Sequence, residues 1–367
     1  MTDTVLLTGA TGQLGTALLP RLVAHNGTVV LALVRGRDAA EVERRRADLV
    51  TRCGVPDHRV HAVQGDVSAP GLGLDAAARA RVESEATSIV HAAAAVRFDL
   101  PADKAARSNI AATESVLELA RALHQARRLK RLDHVSTAYV AGRHTGRFHE
   151  HDLDVGQQFR NTYEWSKLQS ELRVRAAIAE GLPISVHRPS IVVGEAATGR
   201  TRAFNVLYWP LKIYVRGWWR TFPGRPDTRV DIVPVDWVAD AITRLRRLDD
   251  TLGRTFHLAA GDDARTVREL AERIAALTGG PPVRYIDQAR YRRFVRPLIW
   301  PFLSLTRRGR GILRGGEAYM PYFLGNPVFD TSSTRAALGD AGSPPPVLEY
   351  LERVVRFAVD RDFGDPG

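Results

Sequence analysis

The sequence predicts an α/β fold, a doubly wound parallel sheet with a smaller C-terminal portion. Three observations carry this. Short apolar runs alternate with helix-periodic segments over the first two-thirds of the chain. The run over 28–34 is apolar throughout, as a strand buried on both faces requires. The first run passes directly into Gly9-Ala10-Thr11-Gly12-Gln13-Leu14-Gly15, a turn that opens a helix.

The elements follow in order. Residues 5–8 form the first expected strand and 13–24 the first helix; 28–34 is the second strand, and Asp38 is placed to cap the helix that follows through Leu49. Further strands are expected at 60–63, 88–92, 132–136 and 184–187, with a long helix over 103–129 and another over 162–180. Right-handed crossovers then set the C-terminal ends of the strands along one binding edge. After Pro189 the pattern changes. Residues 196–230 are rich in aromatics, Arg and Gly; 230–247 returns to strand then helix, and 255–260 reads as a strand. Helices are expected over 265–278 and 346–360, while in 288–325 Pro297 and Pro301 argue against one smooth amphipathic helix. No internal repeat or low-complexity linker interrupts the chain.

Composition narrows the class. An apolar content of 44% and a charged content of 25% suit a folded globular chain and exclude wholesale disorder. The net charge of +11 is almost wholly arginine and is spread rather than clustered. No zinc-finger spacing or RNA-binding signature accompanies it, so nucleic acid is not an expected partner. The single cysteine, Cys53, excludes an internal disulfide and reads as an inert thiol, which fits a cytoplasmic location. No apolar stretch reaches membrane-spanning length and no secretory leader is read.

The glycine turn implies a dinucleotide. Its glycines allow close approach of a pyrophosphate, and the helix start offers free N–H groups. A ligand-free glycine turn is the competing reading. About 20 residues on, an acidic residue would serve the ribose hydroxyls of NAD. Arg35 stands there instead, a guanidinium suited to the 2′-phosphate of NADP, or else a solvated arginine. Asp66, past the third strand, is a partner for the adenine amino group or a turn cap.

Tyr163-Glu164-Trp165-Ser166-Lys167 carries the chemistry. The chain has only four lysines, Lys104, Lys130, Lys167 and Lys212, so a lysine one helical turn after a tyrosine stands out. Positions i and i+4 share a helix face, and the ammonium is expected to favour the ionised phenol. His134-Val135-Ser136-Thr137 places hydroxyls at the end of a strand on the same edge.

In this order the glycine loop, Gly65-Asp66, the hydroxyl-bearing strand end, Tyr-x-x-x-Lys and His187-Arg188-Pro189-Ser190 resemble the extended short-chain dehydrogenase/reductase superfamily over most of 4–260. A narrower resemblance is to acyl-thioester reductases, among them fatty acyl-CoA reductases and the terminal reductase domains of carboxylic acid reductases and peptide synthetases. It rests on Leu33-Val34-Arg35-Gly36-Arg37-Asp38 with Arg45, on the loop from Gly65 to Leu74, and on Val135-Ser136-Thr137-Ala138-Tyr139-Val140.

The resemblance implies a Rossmann-type NADP-binding part, 1–190 with 230–260 returning to it, and a substrate-binding portion, 191–229 and 261–367. It implies that Gly9, Thr11, Gly12, Gln13, Leu14, Gly15, Arg35, Arg45, Asp66, Val67, Ala92, Ala93, Asn109, Tyr163, Lys167, Pro189 and Ser190 hold the cofactor, Asn109 through a relay water. Thr137, Tyr163 and Lys167 are the implied catalytic residues. Tyr163 would protonate the developing alkoxide, Thr137 would hydrogen-bond the same oxygen, and Lys167 would bind ribose and lower the phenol. A thioester would give a hemithioacetal that collapses to aldehyde and thiol, with a second hydride giving the alcohol. With no adenylation or carrier domain read here, the substrate is expected as an acyl-CoA or on a separate acyl carrier protein.

Other residues carry weaker signals. His149-Glu150-His151-Asp152 lacks metal-site spacing, and no metal is expected. Phe204, Tyr208, Trp209, Tyr214, Trp218 and Trp219 are pocket or core aromatics. The apolar run 295–305, flanked by Arg290, Arg292, Arg293, Arg296, Arg307, Arg308 and Arg310, is a lid, a peripheral membrane contact or a packed insertion. Two other readings stay open: a related enzyme acting on a sterol-like alcohol or nucleotide sugar, and a non-catalytic NADP-sensing protein. Oligomeric state is not assigned.

Overall fold

The computed structural model describes residues 3–25, 27–96, 98, 100–218 and 221–364, apart from the side chains at 299, 307 and 308. A seven-stranded sheet forms its centre. β1 (Thr4–Thr8) lies in the middle, with β2 (Val29–Val34) and β3 (Val60–Gln64) on one side. On the other side follow β4 (Ser88–His91), β5 (Arg131–Val135), β6 (Ile184–Pro189) and β7 (Thr255–Leu258). Every neighbouring pair is parallel. The strand order reverses between β1 and β4, where a doubly wound sheet opens a crevice for a ligand.

The helices α1 (Gln13–Val23), α2 (Ala39–Cys53), α3 (Ala76–Glu85), α4 (Ala112–Gln125) and α5 (Thr162–Ala179) connect the strands. Asp38 caps α2 as expected, accepting from the Glu41 N–H at 2.8 Å. Helix α3 was not anticipated because Val82 is its only buried residue, so it carries no apolar stripe to read. The single helix expected over 103–129 is divided: a short helix Ala102–Ala105 runs into one wide π-type turn, Ala106–Ala111, before α4 begins. Such turns recur at functional sites, and this one contains Asn109.

The later helices are α6 (Tyr208–Val215), α7 (Val235–Leu245), α8 (Val267–Thr278), α9 (Arg296–Leu305), α10 (Arg307–Tyr319) and α11 (Val347–Asp360). Helix α7 lies on α1, pinned by Arg21, which grips Asp240 at 2.7 and 3.1 Å. The prolines of 288–325 do not prevent helix. The chain is helical from Gln288 to Leu305, with Pro297 just past the π-type turn Tyr291–Val295 and Pro301 inside α9. The break falls at Thr306, whose extended backbone ends α9 and whose hydroxyl accepts from the Gly309 N–H to start α10. Helix α10 meets α6 through Trp209, which lies so close to Gly315 that a Cβ there would stand 1.9 Å from the indole nitrogen.

One apolar cluster joins the two halves of the chain. It runs from Ala138, Tyr139 and Leu168 beside the sheet edge to Tyr208, Leu270, Tyr322, Phe323, Tyr350 and Val354. Among the described residues no helix is long and apolar enough to cross a membrane.

Candidate active site

The glycine loop sits at the crevice between β1 and β4. Gly9 has φ +73°, and a Cβ on it would stand 2.8 Å from the backbone of both Ala92 and Ala93. A Cβ on Gly15 would stand 2.0 Å from the Gly9 oxygen. Only glycine permits this approach. Thr11 and Gly12 are exposed at the tip, and no side chain caps the first turn of α1. The loop is thus a cradle with free helix-start donors, which fits a pyrophosphate. The side chains of Gln13 and Leu14 also brace the loop: Gln13 donates to the Val193 oxygen at 3.0 Å and accepts from Thr201, and Leu14 packs on the core.

Arg35 is exposed, 3.9 Å from Asp66. One Asp66 oxygen accepts from the N–H and hydroxyl of Ser68, at 2.9 and 2.7 Å, so Asp66 is a turn cap. Burial works to raise its carboxyl, but the Ser68 bonds and the Arg35 charge hold it below the usual range. Val67 packs on the core beneath. Arg37 and Arg45 both grip Glu41, at 3.0 and 2.7 Å. The Arg37 backbone N–H and guanidinium, with Arg45, lower Glu41 to about 2.

Asn161 caps α5, accepting from the Glu164 N–H at 3.0 Å and donating to the Tyr322 hydroxyl at 2.9 Å. The capped helix places Tyr163 and Lys167 on one buried face. Thr137, from the end of β5, shares a hydrogen bond with Tyr163. Its hydroxyl also donates to the Pro189 oxygen at 3.3 Å and accepts from the Tyr139 N–H at 3.2 Å. Thr137, Tyr163 and Pro189 are therefore brought together. Ser190, buried beside them, donates its N–H to the Leu258 oxygen at 3.1 Å.

Lys167 departs from expectation. Its ammonium donates to the Val135 oxygen at 2.9 Å, and burial brings it down to about 8 against the opposing charge of Glu171. Tyr163 is pushed up to about 12, chiefly by burial and also by Glu164, with the Thr137 bond opposing. The expected lowering of the phenol by Lys167 is thus corrected: the ammonium is spent on a carbonyl, and burial governs the phenol. An ammonium has three donors, and one is recorded in use, which leaves capacity for ribose hydroxyls.

The Asn109 side chain accepts from the Ala95 N–H and donates to the Ser166 hydroxyl, both at 2.9 Å, so it ties the π-turn to the loop after β4 and to α5. Two buried imidazoles lie near Lys167. His91 shares a 2.7 Å hydrogen bond with Thr8 and sits 5.4 Å from the His134 ring. Burial, then the Lys167 charge, lowers His91 to about 3 and His134 well below its ordinary value. Both are neutral, and Lys167 is the cation of this layer. His91 belongs to no motif, and the Val135 carbonyl is a backbone group whose partner no side-chain pattern reveals, so neither was legible in the sequence.

An aromatic wall stands in front of Tyr163. The Phe98 ring lies 5.3 Å from Tyr163, 5.5 Å from Tyr319 and 5.1 Å from Tyr322. Beyond it a cavity of about 990 Å³ is bounded by α9, α10 and α6; Arg143, Arg160, Arg292, Arg296, Trp218, Phe302 and Met320 line it. Thr137, Tyr163 and Lys167 do not. A second, apolar slot of about 80 Å³ lies between α6 and α8.

The aromatics after residue 200 divide by role. Trp218 lines the cavity, Trp209 and Tyr214 line the slot, and Phe204 and Tyr208 are core. Trp219 lies outside the described residues. The His149–Asp152 run is structural: Glu150 accepts from the His257, Ser333 and Thr334 N–H groups, and His149 lies 3.2 Å from Asp330. Arg188 of the His-Arg-Pro-Ser segment pairs with buried Glu171 at 2.6 Å, fastening β6 to α5.

The Male sterility protein family model matches residues 7–242. A fatty acyl-CoA reductase of Drosophila melanogaster is 30% identical over 276 residues, covering 65% of this chain and 53% of that protein. A carboxylic acid reductase of Segniliparus rugosus is 32% identical over 275 residues, covering 66% of this chain and 23% of that protein. The chain thus spans about half the length of the first relative and less of the second. The terminal R domain from the myxalamid PKS-NRPS biosynthetic pathway superposes with a TM-score of 0.84 at 27% identity, covering 99% of this chain and 92% of that one.

Proposed function

The chain belongs to the Male sterility protein family, and from that premise we propose that it is an NADPH-dependent reductase of acyl thioesters, carried on CoA or on an acyl carrier protein. The observation that carries this is the hydrogen-bonded pair Thr137 and Tyr163 at the C-terminal end of β5, with the Lys167 ammonium buried one helical turn behind. The names of the two relatives and the R-domain likeness support the substrate class.

A bound nicotinamide cofactor supplies the hydride. The rest falls to the chain. The cradle of Gly9, Gly12 and Gly15 seats the pyrophosphate, and Lys167 binds ribose. Arg35, with Arg37 and Arg45, receives the 2′-phosphate. Thr137 hydrogen-bonds the thioester oxygen, as an oxyanion donor does. Tyr163, held up at about 12, stays protonated at neutral pH and gives its proton to that oxygen as it becomes an alkoxide. The hemithioacetal then loses its thiol and leaves the aldehyde.

The test mixes purified protein with NADPH and an acyl-CoA series and follows thiol release together with NADPH oxidation. Tyr163→Phe should retain cofactor binding and lose turnover by about 10²–10⁴-fold. Cofactor binding without thiol release at any chain length would overturn the reading. We also infer a peripheral contact between an anionic lipid surface and α9 with the turn before it. Leu298, Trp300 and Leu305 are exposed on α9, and Phe294 on the turn before it beside Arg293.

A further inference from the structure

We infer that His134 is a positioning residue for Lys167: a water held by its imidazole accepts one N–H of the buried ammonium and keeps it charged and in place for the cofactor. This rests on the reading above that Lys167 binds the cofactor ribose, and adds the group that holds it there.

The sheet face beneath α4 and α5 is aliphatic one layer below the site. Leu6, Ile89, Leu132 and Ile184 stand side by side across β1, β4, β5 and β6, all wholly buried. They pack with Val116 and Leu119 of α4 and Val174 of α5. Two residues further along each strand the same face carries Thr8, His91, His134 and Val186. Packing alone calls for aliphatic side chains there. Instead the row holds a hydroxyl and two imidazoles, each no more than 1% exposed.

Thr8 and His91 satisfy each other through their 2.7 Å bond. His134 is left over: among the described residues neither of its ring nitrogens has a hydrogen-bond partner. A polar group buried in that state is costly, and a water with two to four polar partners is what meets it. Lys167 supplies the matching donor. Its ammonium is bonded to the carbonyl of Val135, the residue next to His134. That bond uses one of three N–H donors, and ribose takes a second. The third needs an acceptor, and a neutral imidazole has one. The other ionisable groups around the ammonium do not compete. Glu171, on α5 itself, is bonded through both oxygens by Arg188 of β6. His91 of β4 is engaged with Thr8, and the Tyr163 phenol with Thr137. The π-turn presents Asn109, which is neutral and bonded to Ala95 and Ser166.

The experiment measures NADPH affinity by fluorescence titration between about pH 7 and 10, where a phosphate with a second pKa of about 6 stays ionised. The wild type, His134→Leu, His134→Gln and Lys167→Met are compared, and the thermal midpoint of each verifies that it folds. Leucine continues the pattern of Leu132 one layer below, and glutamine retains a neutral acceptor. In the wild type, affinity should fall as the ammonium loses its proton, and Lys167→Met should show no such fall. In His134→Leu the fall should come about one pH unit or more lower, because the ammonium has lost a charge-assisted hydrogen bond. His134→Gln should stay close to the wild type, which separates the acceptor from the shape of the ring. If His134→Leu does not fold, His134→Val, which copies the neighbouring Val186, takes its place. A fall that the aliphatic variant leaves unmoved, or that His134→Gln shifts as far, would overturn this inference and leave thioester reduction standing. A wild type that binds NADPH with one affinity across the range would overturn it by removing the ribose contact. Failure to release thiol from any acyl-CoA in the assay above would instead strike the thioester reading and leave this one intact.

Discussion

The Lys167 ammonium donates to the Val135 carbonyl oxygen at 2.9 Å, one helical turn along α5 from Tyr163. That bond joins α5 to the end of β5, two residues before Thr137, and so helps set the phenol against the hydroxyl. It also gives the buried ammonium a partner before any cofactor arrives.

Burial of both groups gives the protein a pH signature. Lys167 titrates at about 8 in the fold against 10.5 unfolded. Between those values the unfolded chain holds a proton that the native one has lost, so stability rises with pH. Tyr163 titrates at about 12 against 10.0. There the native state holds the extra proton, and stability falls as pH climbs. Lys167→Met should remove the rise between about pH 8 and 10.5 in the urea midpoint. An identical slope in the variant would show that Lys167 does not titrate in that window.

The sheet, the glycine cradle and the shared buried face of Tyr163 and Lys167 were readable because each has a local signature: unbroken apolar strands, glycines before a helix, and a tyrosine and lysine four apart. Helix α3 was not, since Val82 is its one fully buried residue and only the small side chain of Ala78 joins it on the core. The π-turn at Asn109 was hidden because its residues are as helix-competent as those on either side. Phe98 and Tyr322 meet across 224 positions, so their contact in front of Tyr163 left no trace in spacing. The helicity of α9 ran against Pro297 and Pro301, because the local preference of a proline is overridden there by a helical run that begins at Gln288.

The arginines at the end of β2 predict cofactor choice. NADPH should bind much more tightly than NADH. Arg35→Asp should weaken NADPH by about 1.5–3 kcal/mol, through loss of a charge-assisted phosphate bond, and should add repulsion with Asp66. Glu41 already holds Arg37 and Arg45, so a phosphate must compete for them. Glu41→Gln should therefore strengthen NADPH binding and leave NADH nearly unchanged. Fluorescence titration with both cofactors checks this, and equal wild-type affinities would refute the phosphate assignment.

Asn109 should matter to stability before chemistry. Asn109→Ala removes the acceptor of the half-buried Ala95 N–H and one partner of the buried Ser166 hydroxyl, which still donates to the Tyr163 oxygen at 2.9 Å. An orphaned N–H of this kind costs about 1–3 kcal/mol. The thermal midpoint of the apoprotein should drop measurably, with hydrogen exchange rising at Ala95. A midpoint equal to wild type would mean that water replaces the side chain without cost.

Helix α9 and the turn before it offer three residues that should fail in three different ways. Arg292 lines the large cavity, as does Phe302, which is 75% exposed, whereas Trp300 is 45% exposed and does not line it. Arg292→Ala removes a charge from the side where CoA phosphates would sit. It should raise KM for acyl-CoA at low salt, and the difference should shrink as ionic strength shortens the screening length to about 10 Å at 0.1 M. Phe302→Ala removes apolar contact, so its KM should rise by a similar factor at every salt concentration. Trp300→Ala should leave KM for soluble acyl-CoA close to wild type but reduce co-sedimentation with phosphatidylserine vesicles, because an indole anchors at the headgroup level. Kinetics at low and high salt, paired with sedimentation, separate the three. Wild-type protein that does not sediment with anionic vesicles would end the lipid-surface reading, and α9 would then be a wall of the cavity alone.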